Sequence, residues 1–183
     1  MIHAGRKSSK WWGYPFKPGL MKYQIRNAVT DDLSTVLFLN ESVVPHVNSL
    51  DMSDMLDFLA KAAYFRVACD ERDLVVAFLI GLNPDTDYDS PNFRWFCQNI
   101  ADFAYIDRIA VASSARRQGI AEALYDDLAS SSHAWAKRLA CEVNLRPENP
   151  GSLAFHTRVG FTQAGTLEIH NGAKKVALLT REF

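Results

Sequence analysis

Residues Phe103 to Leu128 read FAYIDRIAVASSARRQGIAEALYDDL: an apolar run, a short polar loop with two arginines and a glycine, then an amphipathic segment. No other stretch constrains the chain so tightly, because it prescribes a strand, a turn and a helix in direct succession. The loop Arg116-Arg117-Gln118-Gly119 falls where the helix begins. Free backbone N–H groups and the positive end of the helix dipole meet there, making an anion site before any side chain is counted. Gly119 lets the backbone approach a ligand closely where a Cβ would hinder it, and Arg116 and Arg117 add positive charge at the rim. The expected occupant is a pyrophosphate. Taken alone, R-x-x-G-x-A also fits an ordinary solvated turn, so the rest of the chain has to decide.

At 183 residues, 48% hydrophobic and 22% charged, the chain has the size of one globular domain with a sizeable core. A formal net charge of −1 gives no broad electrostatic reason to expect nucleic acid or an anionic membrane as a partner. Cys69, Cys97 and Cys141 show no C-x-x-C spacing, and their odd number suits reduced thiols in a cytoplasmic protein. The five histidines form no H-x-x-x-H or H-x-x-E-H pair, so no metal is expected. No apolar run is long enough to span a bilayer.

The first thirty residues carry Arg6, Lys7, Lys10, Lys17, Lys22 and Arg26 but no acid. Glycine, proline and lysine interrupt Trp11 to Gly19, which opposes both a secretory signal and an amphipathic transit helix. Residues 1–20 are therefore expected to be an extension packing its aromatics on the domain or a partner, with the domain proper at 21–183.

Tyr23, Ile25 and Asn27 alternate with polar neighbours in a first strand, and Thr30 is the expected cap of a helix carrying Leu33, Val36 and Leu37 on one face. A second helix runs from about Asp51 to Ala63, its Met52 and Met55 at core spacing. Tyr64 to Cys69 and Leu74 to Gly81 read as a hairpin, the latter apolar throughout and hence central. From Leu82 to Asp102 no period is clear, and the stretch reads as a long loop. Its aspartates and aromatics suit a lid over a cationic or aromatic ligand, or simply a structural loop.

The helix after Gly119 should bury Ile120, Leu124, Leu128, Ser131 and Trp135, with Tyr125 in the core, and Lys137 to Asn144 should follow as a strand. A right-handed crossover places the strands on either side of that helix parallel. Asn149 and Pro150 have the N-cap and first-turn character of a last helix ending at Gly160. Phe161 to His170 and Lys174 to Arg181 close the chain as a hairpin about Asn171-Gly172.

This order of elements resembles the GNAT superfamily of acetyl-CoA-dependent N-acyltransferases over Met21 to Phe183. Arg116-Arg117-Gln118-Gly119-Ile120-Ala121 is similar to the family's (Q/R)-x-x-G-x-(G/A) pyrophosphate loop, and Asn149 to Phe161 resembles its N-x-x-(A/S)-x-x-x-Y-x-x-x-G-F helix. The resemblance implies an α/β fold: a mixed, mostly antiparallel sheet with a splayed parallel strand pair and flanking helices. Acetyl-CoA would lie in the splay, its pantetheine hydrogen-bonded to the backbone of Ile109, Ala110 and Val111. Arg116 to Ala121 would hold its phosphates, and Asn149, Ser152 and Phe155 would line it. A backbone N–H near Ile109 would face the developing oxyanion.

His156 stands where the family has a tyrosine that protonates the departing thiolate. Imidazolium could do the same, or the histidine could pack beside the cofactor with water as the acid. Deprotonation of an attacking ammonium wants a carboxylate near the splay, for which Asp107 and Glu142 are the candidates and Glu41 a third. An ion pair with Arg108 is the competing reading of the first two. The activity implied is acetyl transfer to a primary amine of a small molecule by direct attack in a ternary complex. A protein N-terminus or lysine is the second choice of acceptor, and a non-catalytic CoA-binding module, with a homodimer compatible with either, comes from a different class. The loop lacks the Gly-Lys-Ser/Thr ending of a nucleoside triphosphate site.

Overall fold

The computed structural model describes residues 22–169 and 171–183. The expected extension 1–20, the domain start at Met21 and the last residue of the expected strand Phe161 to His170 lie outside the described residues.

β1 (Tyr23–Asn27) pairs antiparallel with β2 (Tyr64–Asp70), and α1 (Leu33–Glu41) and α2 (Met52–Lys61) lie between them in sequence. Thr30 does not cap α1. Residues 30–32 form a 3-10 turn in which the Asp32 carboxylate accepts from the Val29 N–H at 2.9 Å and from Arg26 at 2.6 and 2.8 Å. A bidentate guanidinium pair closes this turn more strongly than a lone hydroxyl would. α2 is capped as its sequence requires, with Asp51 accepting from the Asp54 N–H at 3.0 Å. Met55 is fully buried, whereas Met52 is exposed at the helix start.

β2 and β3 (Val75–Leu82) form the expected antiparallel hairpin, and β3 is buried on both faces. The stretch 82–102 is not one long loop. Pro91–Asn99 form a helix, α3, with Ser90 as N-cap accepting from the Phe93 N–H and Pro91 in the first turn, where its missing N–H costs nothing. Phe93 and Phe96, one turn apart, are both buried.

β4 (Phe103–Val111) and α4 (Ile120–Ser132) realise the strand–turn–helix stretch. Trp135 leaves the expected buried stripe because the helix stops at Ser132, and Ser131, still within it, faces outward. Ser132 takes the inward position instead, its Oγ donating to the Leu128 carbonyl at 2.8 Å. β5 (Arg138–Arg146), α5 (Pro150–Arg158), β6 (Thr162–Ile169) and β7 (Lys174–Glu182) complete the chain.

The seven strands make one sheet in the order β1-β2-β3-β4-β5-β7-β6, antiparallel except between β4 and β5. Residues of α4 and α5 pack with one face, around Ala77, Leu79, Ala104 and Ile106. Residues of α1, α2 and α3 pack with the other, around Phe78, Ile80, Phe103 and Tyr105. The α3 helix is pinned by rings: Phe96 is fully buried and lies 5.9 Å from Phe103 and 5.7 Å from Tyr105 between centroids. Trp95, on the same helix, reaches the outer strand β6, where Gly165 leaves it room: a Cβ there would stand 2.8 Å from the indole. Phe96→Ala should lower the unfolding free energy by about 3–5 kcal/mol in urea titrations, the usual range for emptying a buried phenylalanine site. A loss under about 1 kcal/mol would mean that α3 does not anchor this face.

Candidate active site

β4 and β5 pair over three residues each, Phe103 to Tyr105 against Arg138 to Ala140, and then part. A bulge lies just beyond the fork, since Ile80 pairs with Arg108 and Gly81 with Ile106, leaving Asp107 unpaired with β3. In a regular strand neighbouring side chains point to opposite faces, but a bulge can turn both to one side. Here Asp107 Oδ2 accepts from Arg108 Nε at 2.6 Å, a contact between adjacent residues that a regular strand does not permit. Both side chains are buried.

Past the bulge, β4 keeps its partner on one edge only. The Ala112 N–H donates to the Val76 carbonyl at 2.8 Å, and Ala77 stands opposite Val111. Antiparallel alternation then directs the backbone groups of Ala110 toward β3 and those of Ile109 and Val111 into the gap. Of the three residues expected to pair with a pantetheine, two therefore face it.

On the α1/α2 face the segment between those helices crosses the gap. Arg108 Nη1 donates to Asn40 Oδ1 at 3.0 Å and to the Asn48 carbonyl at 3.2 Å, while Asn144 of β5 donates to the His46 carbonyl at 3.3 Å. Glu41 anchors this crossing, accepting from Ser49 Oγ at 2.7 Å and from the Leu50 N–H at 3.1 Å. Those hydrogen bonds hold its carboxyl below the ordinary glutamate range.

Glu142 stands on β5 two residues beyond the last β4 pair. Its Oε2 accepts from the Tyr105 hydroxyl at 2.7 Å and its Oε1 from Asn92 Nδ2 at 2.8 Å. Burial pushes its carboxyl up to about 7; the two hydrogen bonds oppose that rise and the nearby Asp107 charge adds to it. The Tyr88 hydroxyl, raised by burial and then by the Asp107 charge, belongs to the same cluster. Glu142 and Asp107 thus share one buried polar group of side chains on the α1–α3 face. Asp107 is held by Arg108, and among the described residues no cation forms an ion pair with Glu142, on which Lys174 acts only through its charge.

On the other face the loop before α4 is built as an anion cradle. Arg117 has φ 61° and Gly119 φ 80°, both left-handed, and α4 starts without a side-chain cap. By contrast α2, α3 and α5 each begin under a side-chain oxygen. A Cβ on Gly119 would meet no atom within 4 Å, so the space above this helix start is open. Arg116 and Arg117 are exposed, and Arg116 Nε turns back to the Val111 carbonyl at 3.2 Å. Gln118 is half-buried, Ile120 is core and Ala121 is half-buried beside it. An uncapped N-terminus, an open glycine and two guanidinium groups fit a pyrophosphate.

Asn149 caps α5, its Oδ1 accepting from the Ser152 N–H at 3.1 Å. His156 is 5% exposed. Its Nδ1 lies 2.7 Å from the Ser152 carbonyl, which only accepts, so Nδ1 carries the hydrogen and Nε2 accepts from the Tyr125 hydroxyl at 3.0 Å. Ser152 Oγ lies 3.3 Å from the same Nδ1. Burial lowers the imidazole pKa, partly offset by the bond to Ser152, so the neutral ring is the resident form. Phe155 is half-buried, edge-on to Tyr125 at 5.7 Å and beneath the Arg158 guanidinium at 5.4 Å.

Asn92, Tyr105 and Tyr88 escape the sequence reading of the site, because all three depend on α3 or on where β4 places a core tyrosine. Ser90-Pro91 followed by Phe93 and Phe96 is the signal that finds the helix.

A sheet that opens between two parallel strands, with unpaired strand backbone running from a buried carboxylate to an open helix N-terminus, is the arrangement that the resemblance to acyl-CoA-dependent transferases implies. The model of the Acetyltransferase (GNAT) family matches residues 28–161, and the chain belongs to that family of N-acetyltransferases. Acetyl-CoA is the acyl donor of the family.

Among solved structures, Ard1 from Thermoplasma volcanium superposes with a TM-score of 0.69 at 20% identity, over 87% of this chain and 97% of that one. Naa20 from Chaetomium thermophilum, in complex with a bisubstrate analogue, gives 0.69 at 19% identity, over 87% and 86%. A GNAT superfamily phosphinothricin acetyltransferase from Sinorhizobium meliloti, in complex with AcCoA, gives 0.64 at 22% identity, over 89% of each chain. These likenesses carry the fold. No curated protein matches the chain by sequence.

Because the folded pKa of Glu142, about 7, lies above its ordinary value, the folded protein binds more protons than the unfolded chain between those limits. Its contribution is fully present at acid pH and is lost as pH rises through 7. Glu142→Gln should therefore gain stability relative to the native chain at pH 8 compared with pH 5, measured by urea unfolding at both. A difference between the two proteins that does not change with pH would mean that Glu142 ionises normally.

Proposed function

We propose that this chain transfers an acetyl group from acetyl-CoA to the primary amine of a small molecule, by direct attack in a ternary complex. The observation that carries the acceptor class is the cover on the α1–α3 face. The 42–50 segment crosses the gap between Arg108 and Asn144, and α3 lies across the fork from Tyr105 and Glu142 to Gly165. An acceptor must fit beneath both, which suits a small amine better than an extended polypeptide. A second reading, a protein N-terminus or lysine, draws on the exposed apolar side chains Phe38, Val44, Met52 and Leu56 near that cover. Three free thiols support a reducing, cytoplasmic setting.

Acetyl-CoA supplies an activated acyl group as a thioester. The open start of α4, with Arg116 and Arg117, binds its pyrophosphate, and the Ile109 and Val111 backbone orients the pantetheine as an added strand edge. Asn149 closes the far side while capping α5. The Ile109 N–H faces the oxygen on which negative charge develops, where a preorganised donor acts most strongly. Glu142, with its pKa near 7, takes a proton from the acceptor ammonium and frees the nitrogen lone pair. Asp107 holds Arg108 and through it the cover, rather than acting as base. His156, with both nitrogens engaged, packs α5 against α4, and the second proton, shed by nitrogen as the C–N bond forms and the C–S bond breaks, passes through solvent to the departing thiolate.

Thiol release from acetyl-CoA should be stimulated by small primary amines in a panel that includes peptides with free N-termini. Stimulation by peptides alone would move the assignment to the second reading, and binding of acetyl-CoA without stimulation by any amine would make the chain a binding module. For the responding amine, log kcat/KM should rise with unit slope below about pH 7 and level off above it, a limb that Glu142→Gln abolishes with a rate loss of ~10²–10⁴. Gly119→Val should weaken acetyl-CoA binding at least ~10-fold by calorimetry, through the left-handed strain and the methyl groups it adds to the cradle. Unchanged affinity would remove this loop from the phosphate site.

A further inference from the structure

Asn92 lies in the first turn of α3 with 5% of its surface exposed. Its Nδ2 donates to Glu142 Oε1 at 2.8 Å, the orientation of the amide that the ionised carboxylate requires. Oδ1 is then left buried without a hydrogen-bond partner. The other such side-chain atoms among the described residues, Arg138 Nε and Arg181 Nε, are donors of guanidinium groups engaged elsewhere, through Nη2 in Arg138 and both Nη atoms in Arg181. Asn92 Oδ1 is a different case: an acceptor with its desolvation unanswered, beside the carboxylate assigned above as the base.

The surroundings narrow what can answer it. The Phe93 ring lies 5.2 Å from that of Tyr105 and 5.7 Å from that of Tyr88, and Tyr88 lies 5.8 Å from Phe58. Two acceptors among aromatic rings, with the Arg108 guanidinium committed to Asp107, Asn40 and Asn48 and Lys174 acting on Glu142 only through its charge, favour a cationic nitrogen.

We infer that Asn92 holds the acceptor's amino group, Oδ1 accepting one N–H while Glu142 accepts another, and that this pair selects primary amines over hydroxyl acceptors. The inference rests on the role given to Glu142. The ammonium passes one proton to the Glu142 carboxylate and becomes a neutral amine with its lone pair free, while a second N–H stays on Asn92. A hydroxyl has a single O–H and satisfies one of the two acceptors, leaving the other buried and unpaired. Asn92 also donates to Glu142, so one side chain aligns the base with the nitrogen it deprotonates.

The test is saturable thermal stabilisation of the CoA-loaded protein at pH 8 by n-butylamine and 2-phenylethylamine, against n-butanol and 2-phenylethanol. At least one amine should raise Tm where its alcohol does not, and Asn92→Leu should weaken that amine's apparent affinity ~10-fold or more while CoA affinity stays within twofold. Asn92→Ser, which keeps a small polar residue but removes the amide, is measured alongside, so that a folding defect in one variant does not decide the matter. Equal responses to amine and alcohol, no response to either amine, or unchanged amine affinity in the variants would overturn the inference. The assignment of Glu142 fails separately, if Glu142→Gln keeps native acetyl transfer and its acid limb while the amine shift remains sensitive to Asn92.

Discussion

The bulge at Asp107 turns Asp107 and Arg108 onto one face of the sheet, at the point where β4 stops pairing with β5. From that local irregularity most of the site follows. The backbone of Ile109 and Val111 loses a strand partner and faces an opening, while β5 stays in the sheet through its pairing with β7. The buried ion pair then serves a second purpose. Removing one partner of such a pair leaves a stranded charge, so Asp107 and Arg108 hold each other in place, and Arg108 in turn holds Asn40 and the Asn48 carbonyl. The strand's irregularity and the cover over the gap are one hydrogen-bonded unit.

The two faces of the opening differ in chemistry as a result. One meets a helix start without a side-chain cap, an open glycine and two arginines, all suited to anionic phosphate. The other meets carboxylates, tyrosines and an asparagine among aromatic rings. A thioester held between them would have its charged tail and its reacting carbon in environments of opposite sign, and the separation lies within a single strand–turn–helix stretch.

Much of this was legible in the chain. The glycine turn before α4, the Asn149-Pro150 cap, the two hairpins and the parallel crossover all rest on local patterns, and each element sits where its pattern puts it. Glu142 stood out because a carboxylate in an apolar strand needs partners. What could not be read were the partners, since Asn92 reaches Glu142 across 50 positions and Tyr105 across 37. The helix that carries Asn92 was hidden for a local reason. Three aspartates and two prolines from Asn83 to Pro91 blur the periodicity of a helix whose buried face is short and almost wholly aromatic. The partner of His156 Nε2 was equally out of reach, because it is a tyrosine on a different helix.

Gly165 lies on the outer strand, on the far side of β7 from the fork, and touches nothing that reacts. Yet Trp95 rests against its bare backbone, and Trp95 belongs to the helix that carries Asn92. A side chain at 165 would meet the indole at 2.8 Å and force Trp95 to shift on the helix that it shares with Asn92. On the role proposed for Asn92, the fit of the acceptor thus depends on a glycine at the rim of the sheet.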